Sequence, residues 1–145
     1  MQSFLPKPAF SLAVIALTAS LLVGAQSAAT ASEIKVSLNG DQEVPPVQTS
    51  ASGSGTIAVN DDKSIKAKIT TSNIKGTGAH IHEEAVGKNG PDIIPLTKIS
   101  DNEGAIPSDA KLSDAQYDAF KAGKLYVNVH SDAHKSGEIR GQLKR

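Results

Sequence analysis

The chain has 145 residues with 15 basic and 15 acidic side chains, four histidines, no cysteine and no tryptophan. A balanced charge leaves no footprint for nucleic acid or for an anionic membrane surface. Lack of cysteine excludes disulfides, thiolate metal sites and cysteine nucleophiles together, and lack of tryptophan excludes a stacked carbohydrate platform.

Residues 1–31 read as a secretory signal peptide. Lys7 supplies the basic start, residues 9–25 are predominantly apolar and uncharged, and Ala29-Thr30-Ala31 puts small residues at the cleavage positions before Ser32. The apolar run is short of the roughly 20 residues that a spanning helix needs. No cysteine follows it to carry a lipid anchor. Cleavage would leave one domain, 32–145, of 114 residues with 14 basic and 15 acidic groups. That length suffices for a single core. The expected location is secreted or periplasmic, with no membrane span after cleavage.

Short alternating runs follow. Ile34, Val36 and Leu38 alternate with polar residues, as do Ile57 and Val59, and then Ile65, Ala67 and Ile69. The turn cluster Asn60-Asp61-Asp62-Lys63 joins the last two runs into a predicted hairpin. Between the first two, residues 41–53 form a loop carrying Glu43-Val44-Pro45-Pro46-Val47, whose prolines restrict it to extended conformations. Ile74 and Ile81 continue the meander around Gly76-Thr77-Gly78, and a glycine-containing loop, 83–91, comes next. Ile93-Ile94-Pro95-Leu96 predicts a weaker strand suited to an edge, because proline has no backbone donor. Ser113 and Gln116 stand at capping-box spacing, Leu112 can staple onto Tyr117, and Gly123 supplies a left-handed stop, so a short helix is predicted here. It leads into a strand over 125–130 and a closing run over 138–143. Regularly spaced strands fit a sandwich or a barrel. We expect an all-β fold, an antiparallel Greek-key-like β-sandwich with one short helix.

The chemistry-bearing residues fall on three of these runs. In a strand, His80 and His82 project to one side while Ile81 points to the other. Val127 and Val129 face a core, which leaves Tyr126, Asn128 and His130 on the polar side. In the closing run Ile139 and Leu143 take one face, and Glu138, Arg140 and Gln142 the other. If the runs are neighbours, His80, His82 and His130 form a three-histidine metal site. Imidazole favours copper or zinc over magnesium or calcium. The alternative is a surface pair that only hydrogen-bonds its strand neighbours. His134 belongs to the turn before Gly137 and is not expected as a ligand. Glu43, Asn128, Glu138 and Arg140 form a candidate polar network. An enclosed guanidinium needs a carboxylate partner, either Glu43 or Glu138, and a structural salt bridge tying the loop to the sheet is the expected outcome.

Five blocks in order carry a family resemblance: Leu38-Asn39-Gly40, Glu43-Val44-Pro45-Pro46-Val47, Ala79-His80-Ile81-His82, Tyr126-Val127-Asn128-Val129-His130 and Gly137-Glu138-Ile139-Arg140-Gly141-Gln142-Leu143. Together they resemble the CHRD domain over essentially all of 32–145. The resemblance implies an extracellular or periplasmic all-β domain and no assigned general biochemistry. Growth-factor antagonism does not carry over, because chordin also has cysteine-rich modules and this chain has no cysteine. A fainter likeness to copper/zinc superoxide dismutases is limited to His80-Ile81-His82, His130 and Arg140. The expectation is therefore a non-enzymatic binding role outside the cytoplasm, toward a metal ion or an unidentified partner. A dismutase-like metalloenzyme and a structural or adhesive envelope module without metal are the alternatives.

Overall fold

The computed structural model describes residues 31–144, so all but the last residue of the expected signal peptide lie outside it. Period-two alternation works out as strands. In β1 (Ser32–Asn39) and β3 (Ile65–Ser72) every second residue is buried, placing Ile34, Val36, Leu38, Ile65, Ala67 and Ile69 in one core. Full burial of such side chains contributes roughly 1.5–3 kcal/mol each. β2 (Ser52–Val59) pairs with both neighbours along its whole length, and Lys63, with φ of 67°, sits in the expected turn. β4 (Gly76–Glu83), β5 (Asp92–Ser100) and the short β6 (Glu103–Ala105) form a second meander. The helix α1 (Asp114–Lys121) starts at Ser113 with both hydrogen bonds of the capping box, and Gly123 follows at φ of 70°. Such a cap contributes about 1 kcal/mol. β7 (Leu125–Ser131) and β8 (Ile139–Gln142) complete the sheet.

All pairings are antiparallel, and the strand order is β1-β2-β3-β6-β5-β4-β7-β8, with β8 back beside β1. The sheet closes into one eight-stranded barrel and does not split into the two layers of the expected sandwich. Two connections skip strands across the barrel ends. One is the three-residue link from β3 to β4, and the other is the α1 segment between β6 and β7. Closure has a local cause. At Gly141 of β8 an added Cβ would stand 2.6 Å from Val36 Cγ2 and 2.7 Å from the Ser37 carbonyl, so only glycine lets β1 come this near. The seam has one ladder pair, Asn39 with Arg140, and beyond it the Gln42 Oε1 accepts from the Gln142 amide at 3.2 Å. A side chain thus takes over where β1 has ended.

Pro95 does not lie on an edge strand, since β5 sits between β4 and β6. The proline is nonetheless accommodated by the same rule. β6 pairs with β5 only over 97–100, so at Pro95 the strand has a ladder partner on one side alone. Among the described residues no helix is long and apolar enough to cross a membrane.

Candidate functional site

The polar stripes of β4, β7 and β8 lie side by side on the outside of the barrel. Their register sets His82 opposite Tyr126 and Tyr126 opposite Gln142, with His80 opposite Asn128 and Asn128 opposite Arg140. This face is not open to water. Loops 40–51 and 84–91 cover it, leaving Tyr126, Asn128, Glu138, Arg140 and Gln142 buried. The barrel wall therefore separates an apolar interior from a buried polar layer.

At one end of that layer the structure brings His80, His82 and His130 together, each half-buried, with one ligand nitrogen apiece lying within 4.8 Å of the others. His134 stays in its turn and is not part of the group. Backbone carbonyls fix two tautomers. His82 Nδ1 lies 3.0 Å from the Gly90 carbonyl and His130 Nδ1 lies 2.9 Å from the Lys135 carbonyl. A carbonyl only accepts, so both Nδ1 atoms carry the proton and both Nε2 atoms present a lone pair. His80 Nδ1 is 3.1 Å from His130 Nε2 and must be its donor. His82 Nε2 is buried without any hydrogen-bond partner. Its ring stacks on Tyr126 at 4.9 Å between centroids and 7° between planes. Burial lowers the pKa of His82, with His80 and His130 adding to the effect and the Gly90 carbonyl opposing it. Burial likewise lowers that of His130. Both rings are held in the neutral form that binds metal.

These donors fit a copper or zinc ion. Three imidazoles converging with one position left over is a known ligand set for such ions, and an Nδ1–H held by a carbonyl is the usual support for a ligating Nε2. The 3.1 Å between His80 Nδ1 and His130 Nε2 is near the tetrahedral edge of about 3.3 Å expected for zinc–nitrogen bonds of about 2.0–2.1 Å. His80 alone would have to exchange its proton between nitrogens to ligate through Nδ1.

The rest of the layer is a hydrogen-bonded network. Asn128 Nδ2 donates to Glu43 Oε1 at 2.6 Å, and Gly137, at φ of 132°, packs where a side chain would strike both. Burial pushes the Glu43 carboxyl up to about 7 despite Arg140, the Val44 amide and Asn128, which pull it down. Thr49 donates to Glu138 Oε1 at 2.6 Å, fastening loop 40–51 to the approach to β8. Burial works to raise the Glu138 pKa, but hydrogen bonds from Ser131 and Thr49 and the nearby His134 hold it below the ordinary value.

Arg140, 1% exposed, is placed differently from the expected salt bridge. Its Nη1 donates to the Lys88 carbonyl at 2.8 Å and to Asn89 Oδ1 at 3.3 Å, while its Nη2 donates to the Ala85 carbonyl at 3.4 Å and to Gln142 Oε1 at 3.1 Å. The guanidinium also lies 3.4 Å from the Tyr126 ring centroid. Among the described residues neither Glu43 nor Glu138 forms an ion pair with it. Planar donors and a ring satisfy the group without a carboxylate, and Glu43 acts on it only at a distance. The loop that Arg140 holds is thus 84–91 rather than 41–53.

Sequence reasoning missed the Gly90 and Lys135 carbonyls, which have no side-chain signature. It also missed Gln142, which donates to the Glu84 carbonyl at 3.0 Å and the Gly123 carbonyl at 2.9 Å. Its alternation placed it on the polar face, and that was the signal available.

Fold and site together define a class: a small, closed antiparallel barrel with a histidine-bearing, loop-covered outer face. The family model of the CHRD domain matches residues 34–143, and the chain belongs to the CHRD-domain family. No curated protein and no solved structure matches it.

Proposed function

We propose that this CHRD-domain protein binds one copper or zinc ion through His80, His82 and His130, in a non-enzymatic role outside the cytoplasm. One observation carries the reading: the lone pair of His82 Nε2 is buried, unpartnered and grouped with two further imidazole nitrogens. Leaving a buried polar atom unpaired costs about 1–3 kcal/mol, a cost that a bound cation would remove. Calorimetric titration with zinc and with copper tests it. One ion per chain is expected, with a tenfold or greater loss of affinity in His82→Ala and in His130→Ala and little change in His134→Ala. Protons compete for the same lone pairs, so affinity should decline on acidification, and burial of His82 and His130 sets that decline below the ordinary 6.5. No binding tighter than millimolar, or equal losses from His134→Ala and His82→Ala, rejects the site in favour of a metal-free envelope module. Turnover of superoxide by the loaded protein, faster than by free ion, rejects the non-enzymatic role.

Export rests on the signal pattern of residues 1–31. N-terminal sequencing of protein from the culture medium or periplasm should begin at Ser32. Retention of Met1 in the membrane fraction would mean that the segment anchors the chain.

A further inference from the structure

Among the described residues two buried side-chain atoms have no hydrogen-bond partner, His82 Nε2 and Asn128 Oδ1. They belong to adjacent rows of one face, because Asn128 stands directly opposite His80, the strand neighbour of His82 two positions away. A metal ion accounts for the first atom. The second is an acceptor, 3% exposed, on a side chain whose other end is pinned. Asn128 Nδ2 donates to Glu43 Oε1 at 2.6 Å, and Gly137 packs against the amide, so the carboxamide cannot turn over without losing that bond.

His80 is the ligand that lacks carbonyl support. His82 and His130 each rest an Nδ1–H on a backbone carbonyl, but the proton on His80 Nδ1 is directed at His130 Nε2. Both of those nitrogens would be needed by a metal held by all three rings. His80 must then carry its proton on Nε2, which creates a new N–H donor opposite the one unsatisfied acceptor nearby.

We propose that Asn128, fixed by Glu43, is the positioning residue of the metal site, accepting the Nε2–H of His80 when Nδ1 binds the ion. The inference rests on the three-histidine reading above. Metal binding would then satisfy both unpaired atoms in one step, and the run Glu43, Asn128, His80 would be the outer support of the third ligand, as carboxylates and amides commonly are for ligating histidines. No proton is gained or lost by His80, because the one on Nδ1 is replaced by one on Nε2 through exchange with water.

Long-range proton–nitrogen NMR of the zinc-loaded full-length protein, with calorimetry on Asn128→Leu, tests the assignment. The expected spectrum shows His80 with its proton on Nε2 in the zinc form and on Nδ1 before zinc is added, with the Nε2 proton protected from solvent exchange. Asn128→Leu, which keeps the volume and removes the acceptor, should bind zinc ten- to a hundredfold more weakly and lose that protection. A zinc-bound His80 with its proton still on Nδ1, or unchanged zinc affinity in Asn128→Leu, overturns the proposal while leaving the metal site standing. Should Asn128→Leu fail to fold, the wild-type spectrum decides alone. Failure of the wild type to bind zinc removes the three-histidine reading itself, and this inference with it.

Discussion

At Glu43 the chain buries a carboxyl beside a guanidinium that is already satisfied by other groups. Burial dominates, and the carboxyl is pushed from 4.5 up to about 7. A carboxyl whose folded pKa is raised stabilises the fold fully below its unfolded value. That stability is lost as pH rises from 4.5 through 7. His82 and His130 act with the opposite sign: their folded values are depressed, so their contribution is present above 6.5 and is lost on acidification. Comparison with Glu43→Gln, which keeps an oxygen for Asn128 Nδ2, separates the two. In chelator-treated protein the variant should gain roughly 1–3 kcal/mol on wild type between pH 5 and pH 8, read from urea midpoints at each pH. A difference that stays constant across that range would mean that Glu43 titrates as an exposed carboxylate. Much at this scale was legible. Strand alternation put His80, His82, Asn128, His130 and Arg140 on polar faces, because a period of two fixes sidedness without any tertiary information. The tautomers were not legible, since Gly90 and Lys135 contribute only backbone carbonyls.

Among the elements, those with strong local signals came out as read. The Ser113–Gln116 capping box, the turn at residues 60–63 and the alternation in β1 and β3 each depend on residues close in sequence. Closure of the sheet depends on residues far apart, and there the reading stopped at a sandwich. Gly141 against Val36 and Ser37, and Gln42 against the Gln142 amide, bring together the two ends of the domain. Nothing in the short-range pattern distinguishes a glycine that admits a neighbouring strand from one that merely weakens its own. Pro95 teaches the same lesson. Its missing donor implied an edge, and the sheet supplies a local one where β6 falls short inside a closed barrel. The short β6 and the one-pair seam with β1 are the two places where the barrel has least ladder pairing.

For the molecule as a whole, Arg140 connects the barrel to the metal site through the loop that it holds. Its guanidinium fixes the carbonyls of Ala85 and Lys88 and the side chain of Asn89, and Asn89 Nδ2 donates to the Val44 carbonyl at 2.7 Å, tying the two covering loops together. One residue further on, the Gly90 carbonyl sets the tautomer of His82, and the Gly90 amide donates to the Tyr126 hydroxyl at 3.1 Å. Loop position and ligand readiness are therefore one variable. Arg140→Met keeps an apolar stem over Tyr126 and deletes the donors. It should destabilise the fold by roughly 1–3 kcal/mol and speed tryptic cleavage at Lys88. It should also weaken zinc binding about tenfold, although Arg140 touches no ligand atom. Zinc bound to the native wild type should in turn slow that cleavage, because an ion that prefers the ordered loop must favour it. Faster cleavage of Arg140→Met with undiminished zinc affinity would separate the two, leaving Arg140 a fastening for the loop with no part in preparing His82.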